Sequence, residues 1–181
     1  MPRIDIVNAT LVDADTKATL DAVKAKIGMV PNLYATFAQA PAVLNGNLAF
    51  GDALSKGALS AAQREIVALA VAQYNSCHYC LSAHTMLGKG AGLSPDAIRA
   101  ARQGKGESAI DDAIATLALR IVETRGNVSD ADLAAARLAG LDDARIVEVV
   151  GNVAHNVLTN FMNNVAQTAI DFPVVDLAIA A

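Results

Sequence analysis

Tryptophan is missing from the chain, and all aromatics together make up only 4% of its 181 residues, so an interior has to be filled with Ala, Leu, Val and Ile. Charge is scarce as well: 18% of residues are Asp, Glu, Lys or Arg, against about 25% in ordinary globular proteins. With apolar residues at 54%, that shortage suggests that part of the surface is hidden between subunits. A net charge of -4 leaves no basic footprint for nucleic acid or anionic lipid. No segment alternates at period two for long enough to make a strand. The opening Met1-Pro-Arg-Ile-Asp-Ile lacks the charged start and apolar run of a signal peptide, so a reducing cytoplasm is the expected setting. Permanent disulfides are rare there, which bears on the two cysteines.

Two long stretches carry no Asp, Glu, Lys or Arg, residues 66–88 and 149–170. The first contains Gln73, Asn75, Ser76, His78 and His84; the second contains five Asn, a Gln and a His. Hydrocarbon would not tolerate that polar content, so both read as buried helices and no membrane partner is expected.

Stop and start signals divide the rest into short helices. Residues 1–12 read as an extended arm. Asp13 or Asp15 caps a helix stopped by Gly28, Pro31 opens a short one ending near Ala40, and Pro41 opens another closing at Gly57. Ser60-Ala-Ala-Gln63 is a capping box, with Asn75 as the matching C-cap, and Ser76 is expected to cap the next helix. Ser94-Pro95, residues 109–125 and Ser129-Asp-Ala-Asp132 mark three more. Asp142 or Asp143 begins a last helix reaching about Ala169, before Asp171-Phe-Pro173. The expectation is one all-α domain over residues 1–181, with eight to ten helices and short connections.

The chemistry gathers in residues 65–84, where both cysteines lie three apart. Cys77, Cys80 and His84 stand at i, i+3 and i+7, and Glu65 precedes them on an apolar segment that must fold back. A helix N-terminus lowers a thiol's pKa, which favours Cys77, whereas proximity to His84 favours Cys80. Glu65 can orient the imidazole or accept its proton, which gives a carboxylate–imidazole–thiol relay with a second thiol beside it. The same parts allow plain core cysteines, or a zinc site of Cys77, Cys80, His84 and Glu65 or His78. Three ligands on one helix would crowd a tetrahedron, and no metal or cofactor is expected. His78 and Tyr79 are expected to point away, with Tyr79 a lid or a hydrogen-bond donor. Asn152, Asn156, Asn160 and Asn163 or Asn164 repeat every turn of the last helix and read as an inter-helix hydrogen-bond ladder; His155 beside them is a supporting candidate.

The pattern Glu65-x11-Cys77-x-x-Cys80-x3-His84, with Gly28-Met-Val-Pro-Asn-Leu33 upstream and Asn160-Phe-Met-Asn-Asn164 and Asp171-Phe-Pro173 downstream, resembles the alkyl hydroperoxide reductase D-like proteins of the carboxymuconolactone decarboxylase superfamily, in its peroxidase-related branch. The resemblance implies a compact all-α fold, a homotrimer or homohexamer, and a Cys pair cycling between dithiol and disulfide. It implies hydroperoxide reduction, or service as the reductase of a peroxiredoxin, with a dithiol such as a dihydrolipoyl group as electron source. Glu65, Cys77, Cys80 and His84 carry over as catalytic residues. Tyr79 departs from the pattern, standing where reductase-type members have a second histidine. A carboxymuconolactone decarboxylase-like enzyme, which does without the cysteines, and a non-catalytic oligomeric scaffold are the alternatives. In the assembly, the 1–12 arm and the Phe172-Pro173 tail are the segments expected to wrap a neighbour.

Overall fold

The computed structural model describes residues 1–8 and 10–179. Among them are nine helices and no strand: α1 Ala14–Ile27, α2 Asn32–Phe37, α3 Pro41–Leu54, α4 Ala61–Tyr74, α5 His78–Gly90, α6 Pro95–Arg102, α7 Ala109–Thr124, α8 Asp130–Leu138 and α9 Asp143–Ala166. Their starts follow local chemistry. Asp13, Ser60, Ser94, Ser108, Ser129 and Asp142 each accept a hydrogen bond from a first-turn N–H, satisfying donors that a helix start leaves free. Gly28, at φ 90°, ends α1 in the left-handed region where a side chain would be strained.

Helix α4 is the centre. Every residue from Ile66 to Ala72 is buried, and the helix packs against α5, α6, α7 and α9. A helix that is apolar all round can be satisfied only by being surrounded. One contiguous cluster of buried residues, from Leu20 to Val153, forms around it.

Helix α9 faces two ways. Its inner side buries Val149, Asn152, Val153, Asn156, Asn160 and Asn163 against the core. Its outer side exposes Val147, Val150, Ala154, Leu158, Phe161 and Val165, an uninterrupted apolar stripe at three- and four-residue spacing. The helix stops at Ala166, short of the expected Ala169, because Gln167 turns left-handed at φ 50°.

Described residues near both chain ends bond to the fold of their own chain. Arg3 N donates to Ala166 O at 2.6 Å and Val7 N to Ala35 O at 3.1 Å. The tail is clipped across α4, α5 and α6: Val175 N donates to Ser82 Oγ at 3.1 Å, Gln73 Nε2 to Leu177 O at 3.0 Å, and Arg102 Nη2 to Asp176 O at 2.8 Å. Among the described residues, no helix is long and apolar enough to cross a membrane.

Candidate active site

The capping box at Ser60 and Gln63 fixes the start of α4 and so the turn on which Glu65 is presented. The Asn75-Ser76-Cys77 link between α4 and α5 then reverses the chain. Ser76 adopts φ 50° there, and an N-cap needs extended backbone, so the expected cap at Ser76 does not form. The role passes to Cys77, at φ -86° and ψ 93°, whose sulfur accepts from the Cys80 N–H at 3.4 Å. Two asparagines of α9 hold this turn. Asn164 Nδ2 donates to Asn75 O at 2.9 Å, and Asn75 Nδ2 donates to Asn160 Oδ1 at 3.0 Å.

With the turn in place, α5 lies back along α4, and His84 Nδ1 comes within 2.8 Å of Glu65 Oε2. Burial works against a charge on His84, but the Glu65 carboxylate and its hydrogen bond outweigh it and hold the imidazole's pKa above its ordinary value. No direct hydrogen bond joins His84 to Cys80, so the second half of the expected relay acts as charge across the gap.

Both thiols are free and buried, yet they differ. Burial pushes the Cys80 thiol up. Hydrogen bonding by the Cys77 thiol, the charge of His84 and the amides of Asn163 and Asn160 overcome that and lower its pKa to about 7. Cys77 is driven the other way, first by its hydrogen bond to Cys80, then by burial and by the Cys80 charge. The helix terminus therefore does not activate Cys77: its sulfur faces the Cys80 N–H and the Cys80 sulfur, so ionising it would set two anions side by side.

Cys80, His84 and Glu65 share the wall of a cavity of about 270 Å³, and Cys77 lies behind it. The remaining wall is largely apolar, with Leu33, Tyr34, Leu54, Met86 and Phe172 among its members. Tyr79 is on this wall too, contrary to the expectation that it points away. Its hydroxyl accepts from the Leu33 N–H at 3.2 Å, its ring meets Phe172 edge-on at 5.5 Å, and burial drives its pKa upward. It is a shaped, un-ionised piece of wall whose hydroxyl accepts from Leu33 and, with the Asp171 carboxylate beside it, is held in its protonated form. His155 lines the cavity from α9, edge-on to Phe50 at 5.5 Å. Burial, against a hydrogen bond to the Asn47 carbonyl and with help from the His84 charge, keeps His155 below the ordinary imidazole range and hence neutral. His78 is not on the wall. Among the described residues, no three His, Cys, Asp or Glu side chains converge as a metal site would require.

The asparagine ladder divides its labour. Asn152 and Asn156 bond carbonyls of their own helix, at 2.8 and 2.9 Å, and Asn160 and Asn164 reach the α4–α5 turn. Asn163 donates from Nδ2 to Cys80 Sγ at 3.2 Å. The sequence placed Asn163 on the seam without linking it to the thiol. Its signal was there: Asn156, Asn160 and Asn163 fall on one face of a helix that has to cover the Cys pair.

Residues 41–123, from the start of α3 nearly to the end of α7, match the carboxymuconolactone decarboxylase family. No curated protein matches the chain. Among solved structures, an uncharacterized peroxidase-related protein with an alkylhydroperoxidase AhpD core, from Ralstonia eutropha JMP134, is 24% identical, with a TM-score of 0.85 over 94% of this chain and 92% of that one. A peroxidase-related protein from Silicibacter sp. TM1040 is 21% identical, with a TM-score of 0.80 over 93% and 94%. The debrominase Bmp8, solved as a cysteine-to-alanine variant with 2,3,4-tribromopyrrole, is 10% identical, with a TM-score of 0.79 over 94% and 92%. The chain thus has the all-α fold of the AhpD-like, peroxidase-related proteins.

Proposed function

We propose that this protein is a dithiol oxidoreductase that reduces hydroperoxides, or regenerates a peroxiredoxin, by cycling Cys77 and Cys80 between two thiols and a disulfide. The observation that carries the reading is the asymmetry of the pair: Cys80 lies on the cavity wall with its pKa lowered to about 7, and Cys77 lies behind it as a thiol. The Cys80 thiolate attacks the terminal oxygen of the hydroperoxide and the O–O bond breaks. The leaving alkoxide takes a proton from the His84 imidazolium, which Glu65 holds charged and oriented. Cys80 is now a sulfenic acid. The Cys77 sulfur attacks it, water leaves, and the disulfide forms. An external dithiol, such as a dihydrolipoyl group, then passes two electrons to the disulfide and restores both thiols.

Decarboxylation fits less well. It would leave the Cys77–Cys80 pair, and the Asn163 amide bonded to Cys80, without a role. An apolar cavity with a thiolate also suits removal of a halogen from an aromatic ring, so a brominated pyrrole belongs on the substrate panel beside alkyl hydroperoxides. The assembly we propose is a homotrimer or homohexamer built on the outer stripe of α9. A cytoplasmic setting would keep the pair reduced between turnovers.

Intact mass and free-thiol counts after one equivalent of an organic hydroperoxide test the reading. The expected result is loss of two thiols in wild type, a sulfenic acid trapped on Cys80 in Cys77→Ser, and no reaction in Cys80→Ser. Full peroxide consumption with both thiols intact would overturn it.

A further inference from the structure

The Asn163 side chain is buried, donates from Nδ2 to Cys80 Sγ at 3.2 Å, and leaves its Oδ1 without a partner. Asn160, a turn earlier and fully buried, gives Oδ1 to Asn75 and has no geometric partner for Nδ2. Buried amides normally satisfy both ends. An amide that leaves its oxygen bare to aim N–H at sulfur gains most when that sulfur carries negative charge, because a thiolate accepts far more strongly than a thiol. The flipped orientation would set a carbonyl dipole against a thiolate. Of these two α9 amides, Asn163 is the one that bonds the sulfur, and its N–H has no other partner there.

We propose that Asn163 is a thiolate-holding residue that sets the redox poise of the Cys77–Cys80 pair and makes its disulfide an oxidising one. The inference rests on the dithiol cycle proposed above but not on the identity of the peroxide. When an external dithiol reduces the disulfide, the products are the Cys77 thiol, the Cys80 thiolate and the oxidised donor. The N–H of Asn163 bonds the thiolate strongly and a disulfide sulfur weakly. Anything that stabilises the reduced form raises the reduction potential. The titratable and charged groups facing Cys80 are Cys77 at the cap of its helix, His84 on that helix with Glu65 of α4 behind it, and Arg64, Tyr34, Tyr79 and His155 on the cavity wall. From α9 the sulfur itself meets neutral amides, so substitutions there change hydrogen bonding without adding or removing a native charge.

The experiment is a thiolate titration at 240 nm, combined with a redox titration against dithiothreitol, on wild type, Asn163→Leu and Asn163→Asp. Asn164→Ala serves as a control that loosens the same turn without touching sulfur. Loss of the donor in Asn163→Leu should raise the Cys80 pKa by about one unit, with a larger rise in Asn163→Asp, where a carboxylate faces the thiolate. A one-unit rise cuts the thiolate fraction at pH 7 about fivefold. It makes the disulfide nearly tenfold harder to reduce at pH 9, close to the ~30 mV that a tenfold change represents for this two-electron couple. At pH 7, where wild type is itself only half ionised, the same variant should differ less than twofold. Asn164→Ala should melt earlier with its thiol titration unmoved. If Asn163→Leu and Asn163→Asp, folded by circular dichroism, titrate like wild type, the inference is overturned while the dithiol cycle stands. It is overturned equally if Asn164→Ala shifts the pKa as much as Asn163→Leu does. A wild type that forms no disulfide at all overturns both.

Discussion

His84 Nδ1 and Glu65 Oε2 meet at 2.8 Å across the α4–α5 pair, 19 residues apart in the chain and both side chains mostly buried. The contact converts a carboxylate on one helix into a charge beside a thiol on the next. Its strength rests on burial, because a solvated pair of this kind would be worth little.

Glu65→Gln is expected to keep the fold and slow Cys80 oxidation. Without the carboxylate, burial prevails and the His84 pKa falls. Less imidazolium then stands near Cys80, so the thiol pKa rises from about 7 and the leaving oxygen loses its proton donor. Loss of a positioned acid–base group typically costs ~10²–10⁴ in rate. His84→Gln should match it, and the double variant should be little slower than either, since the two act as one unit. Stopped-flow oxidation rates and the 240 nm titration report this directly. Superimposable thiolate curves for wild type and Glu65→Gln would leave Glu65 a helix residue without influence on the sulfur.

Stability should depend on pH through His84 and the two thiols. The Cys80 pKa is depressed in the fold, from an ordinary 9.0 to about 7, so the unfolded chain binds the extra proton and stability rises as pH climbs from 7 to 9. His84 has the opposite sign. Its folded pKa is raised, so its contribution is complete below the ordinary 6.5 and fades as pH passes the raised value. Above pH 9 the raised Cys77 pKa takes stability back, because the unfolded thiol ionises there and the folded one does not. Urea unfolding under reducing conditions should therefore show a rise between pH 7 and 9 in wild type that is absent in Cys80→Ser, where only the His84 decline remains.

The helices were legible from the sequence because their signals are local: Gly28, the Ser60–Gln63 capping box, Ser94-Pro95 and Ser129 act within one turn of where they stand. Grouping Glu65 with His84 was legible too, since two apolar helices joined by three residues have to fold back on each other. The Cys77 cap was missed because it depends on Ser76 turning left-handed, which the Asn75 contacts to Asn160 and Asn164 support from 85 and 89 residues away. Asn163 on Cys80 was missed for the same reason, being set by how α9 packs, 83 residues on. Tyr79 faces the cavity because it stands one residue before Cys80 and its hydroxyl is caught by the Leu33 N–H, a partner in another helix.

The outer stripe of α9 provides the last prediction. Val147, Val150, Leu158, Phe161 and Val165 stand exposed by 68, 47, 41, 54 and 61%, on a helix whose inner side already supplies core contacts. With Ala154 they repeat at the spacing that lets two helices interlock. Left in water, such a stripe is an unusual feature for a monomer; buried against copies of itself, it accounts for the shortage of charge in the composition. Phe161→Glu places a carboxylate at mid-stripe, where burial without a partner costs several kcal/mol. Because Phe161 is exposed within the chain, the variant should fold with unchanged helicity. Light scattering should report a trimer or hexamer for wild type and a smaller species for Phe161→Glu at the same micromolar concentration. A wild-type monomer, or a variant that assembles as well as wild type, would remove α9 as the assembly face.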